Sequence, residues 1–228
     1  MSVDTSQHNL VMSLMRCVNP SPIFYRAVTY DFGDWRNKDS LWDFSTGVHP
    51  NIIYNSPHNF SKQDIEMVKK YMAKFLKYFS DDRLKLRIGL SRFDKGCLDR
   101  DFEDKLIDYV IALESVLIKD AGSDLKLRFS LRGASLLGNS PDERSELFAI
   151  LGKAYNARNS LVHGSSKTDL TRVDIKTLSY IAGRVILKMV DLSSLNENRE
   201  KIIETLNNFS LSRKENESVD DFLSRTLS

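Results

Sequence analysis

From Ser61 onward, apolar residues recur every three or four positions, in one segment after another. The clearest case is "FEDKLIDYVIALESVLIKD", residues 102–120, where Leu106, Ile107, Val110, Leu113, Val116 and Leu117 fall on one face of a helix. A helix with one apolar face must bury it against another element. A succession of such helices has few solutions other than a bundle.

The neighbouring segments repeat the pattern. "SKQDIEMVKKYMAKFLKYFS" sets Ile65, Val68, Met72, Phe75, Leu76 and Phe79 at helical spacing, with Ser61 as the N-cap. "RLKLRIGLSRFDKG" is ambiguous. Leu84, Leu86, Ile88 and Leu90 alternate as in a strand, whereas Ile88, Phe93 and Cys97 suit a helix, and the helix is preferred. "AGSD" interrupts the chain before a helix that ends at Gly138. The next helix, residues 140–164, opens with Ser140 as N-cap, Pro141 at its first position and acidic residues in its first turn; Gly164 ends it. A further amphipathic helix runs through Val173, Leu178, Ile181, Val185, Ile186 and Met189, and a weaker one lies near 197–208.

Residues 1–60 are different. They hold four of the five prolines and both tryptophans, and "SPIFYRAVTYDFGDW" and "PNIIYNSP" suggest short extended pieces and turns. The expected organisation is therefore an N-terminal extension, 1–60, and a helical domain, 61–228. The fold class is all-α, a helical bundle behind an irregular, partly extended N-terminal segment.

Composition narrows the chemistry. Apolar residues make up 41% and charged residues 28% of 228, enough for a real core, and the formal net charge is only +2. Any polyanion partner must be argued from where the charges sit. Cys17 and Cys97 form no CxxC pair, and no Cys/His cluster has zinc spacing. His49 and His58 are two loop histidines, a weak basis for a metal site. No metal or cofactor is expected. The N-terminal stretch makes a poor signal peptide and no stretch approaches a membrane span, so a cytoplasmic protein without a membrane partner is expected. No phosphate loop, nucleophile elbow or HExxH motif is present.

What stands out is "AYNARNSLVHG", Ala154 to Gly164, which sets Arg158, Asn159 and His163 among apolar residues at the end of a helix. Spacing alone means little. With 16 arginines and four histidines, such a pair arises by chance in roughly half of chains. Read blandly, Arg158 is a surface arginine and His163 a histidine at a helix C-terminus.

Context adds to this. "YVIALESVL", "LRGASLLG" and "RNSLVHG" occur in that order, and from about Arg83 to Gly164 the chain resembles the Apea-like branch of the HEPN family. The resemblance implies a HEPN-type helical bundle that pairs as a homodimer and cleaves RNA without metal, often in a defence or toxin setting. It assigns the chemistry to Arg158 and His163, with Asn159 as the polar residue after the arginine. Glu114 and Tyr155 are supporting candidates. An antitoxin or an upstream sensor protein is a further partner to expect. The rival reading is a non-catalytic HEPN scaffold that binds a protein or nucleotide.

The residue types suit the chemistry. RNA carries its own nucleophile, the 2′-OH. Histidine can move its proton near neutral pH, and arginine can stabilise charge on the phosphorane. Geometry constrains the pair, because Arg158 and His163 lie about 140° apart on an ideal helix. Either the last turn is distorted before Gly164, or the arginine wraps round, or two chains pool their motifs across a dyad. Glu114, alone in an apolar helix, is either exposed or orients Arg158; the second is preferred because unpaired buried carboxylates are costly. Lys69 to Arg100 holds ten basic and four acidic residues, which makes Arg83, Lys85, Arg87 and Arg92, together with Arg132, candidates for RNA phosphates.

Overall fold

The structure, a computed structural model, describes residues 6–21, 60–80, 86–99, 101–118, 123–163, 173–193, 199–211 and 221–222. These form eight α-helices and, among the described residues, no strand: α1 Ser6–Val18, α2 Lys62–Ser80, α3 Leu86–Leu98, α4 Phe102–Leu117, α5 Leu125–Leu137, α6 Pro141–Val162, α7 Ile175–Ser193 and α8 Arg199–Leu211. The all-α bundle is as the periodicity predicts. Among the described residues no helix is long and apolar enough to cross a membrane.

α7 is the central element. Val173, Leu178, Ile181, Val185, Ile186 and Met189 are all buried, and the helix packs on α1, α2, α3, α4, α5 and α8. Its start is set by Asp174, whose carboxylate accepts the backbone N–H groups of Lys176 (2.9 Å) and Thr177 (3.2 Å). α3 and α4 form one antiparallel pair and α5 and α6 another. Each fully buried leucine or phenylalanine in these seams contributes about 1.5–3 kcal/mol.

Two sequence expectations need correction. First, residues 6–18 are not part of an irregular extension. α1 carries Leu14 and Cys17 into the core, and a Cβ added at Gly183 of α7 would stand 2.5 Å from the Cys17 carbonyl oxygen, so only glycine allows this approach. Arg16 pairs with Asp94 of α3 at 2.9 Å, and Ser13 also donates to Asp94. The boundary at residue 60 therefore cuts through a single core. The proline- and tryptophan-bearing stretches between α1 and α2 lie outside the described residues.

Second, the segment after residue 83 is helical, as preferred, but its inward face is Leu86, Leu90, Phe93 and Cys97, while Ile88 is 61% exposed. Likewise α2 turns Tyr71 and Phe75 inward and leaves Ile65 exposed. Ile65 lies about 120° round the helix from Tyr71. Gly138 ends α5 as the sequence predicts, at φ −83° and ψ 123°. Glycine is required there by space, because an added Cβ would meet Arg144 Cγ at 2.5 Å. Among the described residues other than glycine, the left-handed one is Asp124, at the start of α5, with φ 64°.

Candidate functional site

α6 is built to hold its C-terminal end in register. Ser140 Oγ accepts the Glu143 N–H at 3.2 Å, Pro141 occupies the first turn, and Glu143 in return accepts the Asn139 N–H at 2.8 Å. Leu151, Ala154, Tyr155 and Ala157 face the core. This orientation directs Arg158 toward α4. Arg158 Nη2 lies 3.4 Å from Glu114 Oε2, with the two side chains 24% and 21% exposed. Arg158 Nη1 donates to Asn159 Oδ1 at 3.0 Å. Its Nε is buried and has no hydrogen-bond partner among the described residues. Glu114 thus faces the arginine rather than open solvent.

Tyr155 completes the group. Its ring packs on Phe129 of α5, with centroids 5.2 Å apart. Burial first, and then the charge of Glu114, raise its phenol pKa, while Arg158 opposes them. Tyr155 is therefore neutral at physiological pH and can donate to a carboxylate.

The structure leaves His163 apart from this group. His163 caps α6, exposed, and its backbone N–H donates to the Asn159 carbonyl at 3.0 Å. That bond spans four residues, so α6 keeps helical hydrogen bonding as far as the His163 N–H, while His163 itself leaves helical geometry at φ −95° and ψ 4°. Arg158 does not wrap toward it, since it is bonded to Glu114 and Asn159. Among the described residues, nothing bonds to the imidazole. Leu161 is half-buried against the core and Val162 exposed. Gly164 lies outside the described residues.

The basic run is weaker as a surface than its composition suggests. Arg92 Nη1 lies 3.0 Å from Asp108 Oδ1 and Lys95 Nζ 2.9 Å from Asp108 Oδ2. Burial alone would raise the Asp108 pKa, but hydrogen bonds from Lys95 and Arg92 outweigh it and hold the carboxyl below its usual range. Lys74 pairs with Asp191 at 2.8 Å and Lys69 with Glu66 at 2.9 Å. The acids Asp108 and Asp191 come from α4 and α7, outside the window in which the charges were counted. Arg87 is exposed; Arg83 and Lys85 lie outside the described residues.

Arg132 does not belong with the phosphate contacts. It is 6% exposed, and it donates to the Leu117 carbonyl at 2.7 Å and to Asn207 Oδ1 at 3.0 Å. Its guanidinium caps the end of α4. Arg199, which the sequence reading passed over, does the same from α8. It is 2% exposed and donates to the carbonyls of Val116 (3.0 Å), Ser115 (2.9 Å) and Ile118. The signal was present: Arg199 shares a helix face with Ile202, Ile203, Leu206 and Phe209, and an arginine on an apolar face needs acceptors.

Among the described residues, no group of three His, Cys, Asp or Glu is arranged to hold a metal ion. Comparison with protein-family models, with curated proteins and with solved structures finds no match to this chain.

Proposed function

We propose that this chain is a metal-independent endoribonuclease of the HEPN type, acting as a homodimer on RNA in a defence or toxin setting. The observation that carries the reading is the arrangement at the end of α6. Arg158 is held by Glu114 and Asn159, while His163 stands in solvent one turn further on. One chain does not aim both at a single phosphate. A two-fold axis beside residues 154–163 would bring a second copy of each to one cleft, and isologous contacts of this kind are common in homodimers.

In that cleft His163 takes the proton of the 2′-OH, and the oxygen attacks the adjacent phosphorus. Arg158 stabilises the added charge on the phosphorane. The bond to the 5′ oxygen breaks and that oxygen takes up a proton. The products are a 2′,3′-cyclic phosphate and a 5′-OH. An antitoxin or sensor protein would govern the site in a cytoplasmic setting.

A second reading has an observation of its own. Because Arg158 is turned inward and satisfied in part by Glu114, the same residues suit a non-catalytic HEPN scaffold that binds a protein or nucleotide. Incubation of the wild-type chain with total RNA in EDTA, beside His163→Ala, decides between them. Cut RNA with cyclic phosphate ends, lost in the variant, supports the nuclease. Intact RNA with both proteins supports the scaffold. Light scattering tests the dimer independently.

A further inference from the structure

Past its first two turns, α6 carries no acid. Asp142, Glu143 and Glu146 come early, and from Leu147 to His163 there is no Asp or Glu. α5, which packs along α6, has none either. On an ideal helix Gly152, Asn156, Asn159 and His163 fall within about 60° of one another and form one row. Asn156 and His163 are exposed and Asn159 is half-buried. This is not the face that turns Arg158 toward Glu114.

Two lysines stand at the far end of the row. Lys126 of α5 reaches across to it. A Cβ added at Gly152 would meet Lys126 Cε at 3.6 Å, so the aliphatic stem lies against the glycine and the exposed amine carries its charge over the start of the row. Lys153, next in the chain, is exposed on its flank. Among the described residues neither lysine has an ion pair or a side-chain hydrogen bond. Asn159 Oδ1 accepts from Arg158 at 3.0 Å, which leaves the amide N–H groups of Asn159 to donate. Asn156 has no partner among the described residues.

Two uncompensated cations, then two carboxamides, then a histidine is an order that suits a nucleic-acid strand. Charge holds phosphates, while polar donors and acceptors hold bases and 2′-OH groups. From Gly152 to His163 the helix advances about 16.5 Å at 1.5 Å per residue. That is the length of about five nucleotides stacked at 3.4 Å. We propose that this row is the path of the substrate. A single RNA strand lies along α6 with its phosphates on Lys126 and Lys153 and its bases and 2′-OH groups on Asn156 and Asn159, and it enters the reaction at His163. The inference rests on the nuclease reading, which supplies the role of His163; holding the strand does not itself require cleavage.

The test is fluorescence anisotropy of a short labelled single-stranded RNA in EDTA, with full-length His163→Ala as the parent so that nothing is cut. Added to it, Lys126→Ala and Lys153→Ala should each weaken binding at least ~threefold and flatten the slope of log K against log salt by about 0.7, the share of one phosphate on a single strand. Lys62→Ala, at an exposed lysine on α2, should change neither. Asn156→Ala should narrow the preference for RNA over DNA of the same sequence. All four positions are exposed, so the urea midpoints should match the parent. Lysine variants that bind as tightly as the parent overturn the proposal even if the wild-type chain cuts RNA, as does a parent that binds no RNA. Lysine-dependent binding without cutting by the wild type supports the strand path and sinks the nuclease reading instead. If polyglutamate binds as tightly as the RNA, with the same dependence on Lys126 and Lys153, the row takes acidic partners of any kind and the proposal fails.

Discussion

Replacing Arg199 with alanine should be among the most destabilising single changes in this chain. The guanidinium is buried and donates to the carbonyls of Ser115, Val116 and Ile118 at the end of α4. In the variant the Val116 acceptor stays buried and those of Ser115 and Ile118 part-buried without the arginine donor, at about 1–1.5 kcal/mol each. The buried aliphatic stem adds roughly 2 kcal/mol of lost packing. Against this, the variant no longer carries the desolvation cost of a buried cation, so the net loss is about 3–4 kcal/mol. With a urea slope of about 3 kcal/mol per molar for a chain of this size, the unfolding midpoint should fall by roughly 1 M. Arg199→Met keeps much of the stem volume and should lose about half as much. Urea unfolding followed by far-ultraviolet circular dichroism reads both. A midpoint for Arg199→Ala within 0.2 M of wild type, a bound set at about 0.6 kcal/mol with the same slope, would refute the reasoning.

The other predictions concern the site and the titrating groups. His163→Ala and Arg158→Ala should each slow RNA cleavage by at least ~100-fold with an unchanged circular dichroism spectrum; full activity in either folded variant sinks the assignment. Cys17 and Cys97 are buried, and burial raises both thiol pKa values, Cys97 to about 12. Alkylation at pH 8 should therefore proceed only as fast as the chain opens and accelerate with urea, whereas rapid labelling of the native protein would contradict the packing of α1 on α3 and α7. Burial opposes the ionisation of Asp191, but Lys74 and the Tyr71 hydroxyl prevail and hold its pKa low in the folded state. Its ionised form thus stabilises folding at neutral pH, and this contribution is lost as pH falls below about 4, because the unfolded chain protonates first. Asp191→Asn should lower the urea midpoint at pH 7 and differ less from wild type at pH 3; an equal difference at both pH values counts against the Lys74–Asp191–Tyr71 arrangement.

Much of the fold was legible in the sequence because periodicity reports local geometry. The caps at Ser61 and Ser140 could be read as well: Ser61 Oγ accepts the Asp64 N–H at 3.1 Å and Ser140 does the same for Glu143. What failed was anything that depended on which neighbour a helix meets. Ile65 and Ile88 sit on helices read correctly, yet point outward because the faces around Tyr71 and Phe93 pack instead. α1 was missed because its apolar run is short and its hold on the core comes from Gly183 and Asp94, both far away in sequence. The same limit applied to the site. The Glu114–Arg158 pair followed from the cost of a lone carboxylate in an apolar helix. The burial of Arg132 and the pairing of Arg92 with Asp108 depend on tertiary packing and escaped charge counting.

The position of Glu114 is itself a long-range result. It lies in the last turn of α4, where the Ile118 N–H donates back to the Glu114 carbonyl at 2.8 Å. Beyond it, the carbonyls of residues 115 to 118 would be unpaired at the negative end of the helix dipole. Arg132 takes that of Leu117, and Arg199 takes those of Ser115, Val116 and Ile118. Both arginines are buried. The helix end therefore supplies acceptors and favourable potential for two buried cations, and they in turn keep that end helical. The turn that carries Glu114 to Arg158 is thus fixed from α5 and α8, two elements that contribute no residue of their own to the Arg158–Glu114 ion pair. A substitution at Arg199 would accordingly act on the arginine of the α6 motif through the end of α4, whose Val116 lies more than 80 residues from Arg199 in sequence.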